Sequence, residues 1–80
     1  MPKPKLPQIE GKELVRLLIK IGFEITRQKG SHIRMESKNG TKVSVPVHPN
    51  RNVPKGLLHD IITKDLRLTL EEFVKLFDEL

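Results

Sequence analysis

Three histidines are the side chains in this 80-residue sequence best suited to moving protons near neutral pH, and their surroundings differ. His32 follows Gly30-Ser31 and sits among Arg27, Lys29 and Arg34. The plainer reading is a surface histidine in a turn that happens to be basic, but an imidazole amid cations also fits one simple chemistry. If the ring takes a proton from a hydroxyl beside a phosphodiester, the oxygen attacks phosphorus while nearby cations stabilise the developing charge. RNA carries such a hydroxyl at its 2′ position. His48, in Val47-His48-Pro49, is a second acid–base candidate, with a loop histidine in a His-Pro turn as the plainer reading. His59 lies between Leu58 and Asp60, where a solvated role is expected. The histidine spacings match no metal-ligand pattern and no cysteine assists them, so neither a metal nor another cofactor is expected.

The hydropathy period shows what must position these residues. Leu14, Val15, Leu17, Leu18 and Ile21 recur at helical spacing from about Gly11, with Lys12, Arg16 and Lys20 opposite and Gly22 as a stop. The period then becomes two. Phe23, Ile25, Ile33, Met35, Val43, Val45 and Val47 hold odd positions, while Glu24, Thr26, Gln28, His32, Arg34, Glu36, Lys42, Ser44 and His48 hold even ones. Three strands with an odd face under helices and a wet even face account for this.

Parity also sets the second hairpin. A two-residue Asn39-Gly40 turn would set Glu36 against Val43, an exposed position against a buried one. A three-residue loop, Lys38-Asn39-Gly40 with Gly40 left-handed, removes the conflict. Met35 then faces Val43, Ile33 faces Val45, and Glu36 faces Lys42. His32 falls opposite Pro46, which puts His48 one rung away on the same face. The register of the first hairpin, around Gly30-Ser31, stays open.

Pro54 opens a second helix with Leu57, Leu58, Ile61 and Ile62 as its stripe. Thr69 and Glu72 form a capping box for a third, striped by Leu70, Phe73, Val74, Phe77 and Leu80. The order α-β-β-β-α plus a C-terminal helix predicts a two-layer α+β fold, a three-stranded antiparallel sheet with helices on one face. One domain over 10–80 is expected, after a basic, proline-spaced arm over 1–9 that is extended and mobile.

The formal net charge is +5, unevenly spread. Residues 20–59 carry eight Lys/Arg against Glu24 and Glu36, whereas residues 60–80 carry three against six acidic side chains. A basic body points to a polyanionic partner. Lys29, Arg34 and Lys42 would follow a phosphate backbone, Ser31 would orient the turn, and Arg51 and Lys55 bracket the start of the second helix. Lys42 also borders a hairpin tip, where lysine is ordinary edge protection. With no Trp or Tyr and all three Phe on core stripes, stacking of single-stranded bases is disfavoured. No apolar run approaches the ~20 residues of a membrane span and no signal-peptide pattern is seen, so a cytoplasmic protein is expected.

Gly22-Phe23, Gln28-Lys29-Gly30-Ser31-His32, Val45-Pro46-Val47-His48-Pro49 and Pro54-Lys55-Gly56, in this order after an amphipathic helix, resemble the HicA (YcfA-like) family. The likeness runs from about Glu10 to Leu80, although Ile33 stands where many members have histidine or an aromatic residue. The resemblance implies a fold like a double-stranded-RNA-binding domain and the activity of an mRNA interferase, a metal-independent endoribonuclease toxin of a type II toxin–antitoxin pair. It also implies inhibition by a HicB-type antitoxin and a catalytic role for His32. The alternative is a non-catalytic double-stranded-RNA-binding module. Such modules carry a lysine cluster at the start of their last helix, where this sequence has Lys55 alone.

Overall fold

The computed structural model describes residues 6–79; the first five residues of the expected arm, and Leu80 of the third helix's stripe, lie outside the described residues. Helix α1 spans Gly11–Lys20. The Glu13 carboxylate reaches back to accept the Glu10 backbone N–H at 3.2 Å, satisfying one donor at the helix start. Leu14, Val15, Leu17 and Leu18 are buried, as their spacing requires. Gly22, with φ 110°, ends the helix where a side chain would be strained. Ile9, in the segment expected to be an arm, is fully buried; its carbonyl accepts the Val53 N–H at 2.7 Å.

Strands β1 (Phe23–Lys29), β2 (His32–Ser37) and β3 (Lys42–Pro46) form an antiparallel sheet in the order β1-β2-β3. The second hairpin has the register that parity demanded: His32 opposite Pro46, Ile33 opposite Val45, Met35 opposite Val43 and Glu36 opposite Lys42. Gly40 takes a φ of 88° in the three-residue loop, which Ser37 N–H closes onto the Thr41 carbonyl at 2.9 Å.

The first hairpin departs from simple parity. Ile25 faces Met35, but Arg27 faces Arg34, so Thr26 is an extra residue in β1. This β-bulge reverses the faces beyond it. Gln28, expected on the wet face, pairs with Ile33 on the helix side, and the odd residues Arg27 and Lys29 turn to the wet side. Ile25 keeps the helix-side face yet remains 47% exposed, because after Phe23 the helix layer no longer covers this edge strand.

Helix α2 (Lys55–Asp60) begins at the residue after Pro54, which holds the N-cap position without a side-chain hydrogen bond, and continues as a π-helical turn over Ile61–Asp65. Leu58, Ile61 and Ile62 are buried, whereas Leu57, expected in the stripe, is 39% exposed. Arg67 holds a left-handed φ of 55° beyond the turn, where the Leu68 N–H donates to the Ile62 carbonyl at 2.9 Å. Helix α3 (Leu70–Asp78) starts with the expected capping box, Glu72 N–H donating to Thr69 Oγ1 at 3.1 Å and Thr69 N–H to Glu72 Oε1 at 3.0 Å. Phe73 is its fully buried anchor. Helices and sheet share one core, in which Leu14, Leu18, Met35, Val45, Ile62 and Phe73 are all fully enclosed. Truncating one of these to Ala costs ~2–5 kcal/mol. Among the described residues no helix covers the opposite face of the sheet, where Arg27, Lys29, His32, Arg34, Lys42 and Ser44 are exposed.

Candidate active site

Gly30-Ser31 is a two-residue turn with Gly30 at φ 59°, the left-handed position that tight hairpins give to glycine. It sets Lys29 directly opposite His32. Two residues along the strands, on the same face, Arg27 stands opposite Arg34. Ser44 pairs with Arg34 from the other side. Arg27, Lys29, His32, Arg34 and Ser44 together line a shallow depression of about 210 Å³ on the uncovered face. All five are exposed.

His48 arrives at the same place by a separate route. Beyond Pro46 the chain stays beside the first hairpin, Val47 N–H donating to the Ser31 carbonyl at 2.6 Å. It then reverses through His48-Pro49-Asn50-Arg51, with Arg51 N–H donating to the His48 carbonyl at 3.2 Å. Asn50 adopts φ 59°, the pattern of a type II turn with proline second and a left-handed residue third. The start of α1 supports this stretch from below. A Cβ on Gly11 would lie 2.8 Å from Val47 Cα and nearer still to the Pro46 carbonyl oxygen, so only glycine lets the helix approach. The His32 and His48 rings end edge to face, with centroids 6.5 Å apart. Beyond His48 a further depression of about 280 Å³ is lined by Glu10, Lys12, Val47, His48, Pro49 and Asn50.

The charge along the face is graded. Among the described residues the ion pairs are Lys12–Glu10, His59–Asp60 and Lys64–Asp60, so Arg27, Lys29 and Arg34 meet no carboxylate. The next rung on this face reverses sign, with Glu24 opposite Glu36 and Lys42 flanking Glu36. No cluster of three or more His, Cys, Asp or Glu among the described residues has the geometry to hold a metal ion.

Of the residues singled out in the sequence, Lys29, Ser31, His32, Arg34 and His48 are brought together. Lys42 lies two rungs from His32, and Arg51 and Lys55, both exposed, lie outside the depression. His59 is solvent-exposed beside Asp60, as expected. Ser44 is an addition that sequence reasoning missed, and Arg27, read there only as one of the cations near His32, joins the lining as well. A signal for Arg27 was present. With a two-residue Gly30-Ser31 turn, unbroken pairing would set Ile25 against Glu36, and one extra residue in β1 removes that mismatch. A larger concavity, about 600 Å³ between Ile21, Phe23, Leu66, Leu68 and Leu76, lies at the opposite end of the sheet and contains no histidine.

A family model described as HicA toxin of bacterial toxin-antitoxin matches residues 11–68. The chain belongs to the HicA toxin family. No curated protein matches it in sequence. The HicA match begins at the first residue of α1 and closes just after the π-helical turn, so it contains both histidines and every residue of the basic depression. Helix α3 lies outside it. As a HicA toxin, the chain is one half of a toxin–antitoxin pair, whose antitoxin is the partner that the family implies. No helix among the described residues is long and apolar enough to cross a membrane.

Proposed function

We propose that this HicA toxin is a metal-independent endoribonuclease, an mRNA interferase, whose chemistry runs between His32 and His48. The observation that carries the reading is the 6.5 Å separation of the two rings beside a depression lined by cations. One imidazole removes the proton from an RNA 2′-hydroxyl and the 2′-oxygen attacks the adjacent phosphorus. The bond from phosphorus to the 5′-oxygen breaks, and the other imidazole donates a proton to that leaving oxygen. The products are a 2′,3′-cyclic phosphate and a free 5′-hydroxyl. Lys29, opposite His32, stabilises the charge on the phosphoryl oxygens, and Arg34 helps to hold the strand. Ser31 acts through its backbone, since its carbonyl ties the Val47–His48 segment to the hairpin. Lys42, Arg51 and Lys55 serve as outer contacts to the RNA backbone.

The depression also supports a mode of inhibition. A HicB-type antitoxin with an acidic surface would cover the exposed cations and compete with RNA in the cytoplasm, where messages are translated. An RNA-cleavage assay in excess EDTA tests the central claim. The native chain should cut RNA to cyclic-phosphate ends, and His32→Ala should not. Retention of RNA without cleavage would instead favour a binding module, and His32→Ala cutting at the native rate would remove the mechanism. If bound antitoxin left cleavage unchanged, the competitive mode of inhibition would be wrong.

A further inference from the structure

We infer that the Arg27–Arg34 rung is a second phosphate subsite, one rung from the histidine that cuts, and that the track ends after it. The inference rests on the nuclease reading above and specifies how that site takes its substrate. Two guanidinium side chains directly opposite each other across antiparallel strands repel, and such pairs destabilise a sheet. No acidic side chain among the described residues forms an ion pair with either. The repulsion is also not a by-product of regular pairing. Arg27 reaches this face only because Thr26 is inserted into β1, held by its hydroxyl donating to the Arg34 carbonyl at 3.3 Å. Bulges next to functional sites re-aim side chains in this way.

The ligand that relieves the repulsion is an anion, and its position relative to His32 identifies which. Rungs on one face are two residues apart, or about 7 Å along the strand. That spacing is comparable to the separation of successive phosphates in an extended RNA strand. With the scissile phosphate at the Lys29–His32 rung, the neighbouring phosphate lies over Arg27 and Arg34, where planar guanidiniums bind it in bidentate fashion. A third phosphate in line would meet Glu24 and Glu36, two carboxylates against the single cation Lys42 at the edge of that rung, and be repelled. The strand therefore crosses two rungs and leaves the sheet, and Arg27 contributes to binding rather than to the bond-breaking step.

Arg27→Gln tests this with readouts of opposite sign. Removing the like-charge pair should raise the Tm of the free protein at low salt, which also shows that the variant folds. In the non-cleaving His32→Ala background, affinity for a single-stranded RNA of about six nucleotides is measured against salt concentration. Adding Arg27→Gln should lower the log–log slope by about 0.7, the value for one lost contact, while Arg27→Lys should keep it. In the native background KM for RNA should rise about tenfold with kcat retained. An unchanged slope and KM would overturn the subsite. A native chain that fails to cut RNA, while the slope still falls with Arg27→Gln, would overturn the nuclease reading and leave the subsite standing.

Discussion

The imidazoles of His32 and His48 stand edge to face, their centroids 6.5 Å apart and their planes 82° from parallel. One ring sits at the start of β2 and the other just past the end of β3, and the proposed mechanism sets both on a single phosphodiester. An acid and a base acting on one bond lose their contributions together. His32→Ala and His48→Ala should each lower kcat by about 10²–10⁴-fold, and the double variant should be little worse than the poorer single one. The kcat/KM profile of the native chain against pH should be bell-shaped, and His48→Ala should lose one limb. A His48→Ala enzyme with full rate and both limbs would leave His32 acting alone.

Lys29 and Lys42 have similar side chains in different places. Lys29 shares a rung with His32, whereas Lys42 faces Glu36 two rungs away. A hydrogen bond to a charged group is worth about 1.5–3 kcal/mol, so Lys29→Gln should cost at least about tenfold in kcat/KM. Lys42→Gln should stay within about twofold, as outer cations on a surface do. Steady-state kinetics on one RNA substrate checks both; equal losses would mean that proximity to His32 carries no weight.

Gly11 couples the fold to the site. Any side chain there meets the backbone of Pro46 and Val47, neither of which can rotate out of the way. Gly11→Ala should therefore destabilise the protein by about 1–3 kcal/mol. It should also depress cleavage in the fraction that remains folded, because Val47 leads directly into His48. Denaturant unfolding together with activity per folded molecule measures the two effects; a variant as stable as the native chain would refute the close approach of α1.

The cap of α3 carries a pH dependence. The Thr69 backbone N–H, and then its hydroxyl, hold the Glu72 carboxyl below its ordinary value of 4.5. A lowered folded-state pKa means that the ionised form is favoured on folding. Its contribution is complete above the ordinary value and is lost as pH falls through the lowered one. Thr69→Ala should cost about 1 kcal/mol at neutral pH. It should flatten the acid limb of the stability curve only in part, since Ala keeps the backbone N–H, whereas Glu72→Gln should remove this contribution entirely. Equal acid sensitivity in all three proteins, followed by thermal melts from pH 6 to 3, would assign that limb elsewhere.

Residue period alone was enough for much of this architecture. Leu14, Leu17 and Leu18 on one helix face, and Val43 and Val45 on one strand face, can be buried together in only one way. The Lys38-Asn39-Gly40 loop followed because a slip of one residue would put Glu36 in the core. Thr69 and Glu72 named the start of α3 through local hydrogen bonds that need no distant partner. From the same alternation came the exposure of His32 and its closeness to His48.

What the chain pattern did not carry was every feature that depends on how far one element extends over another. Ile25 and Leu57 read as core residues, yet they stand at margins that the opposite layer does not reach. The bulge at Thr26 arises from reconciling two hairpins at once, a two-residue turn at Gly30 and a core contact at Ile25. Neither requirement alone reveals it. Because that extra residue reverses the faces of β1, an arginine on an apparently buried parity stands beside the histidine, and the cationic depression exists only in the folded sheet.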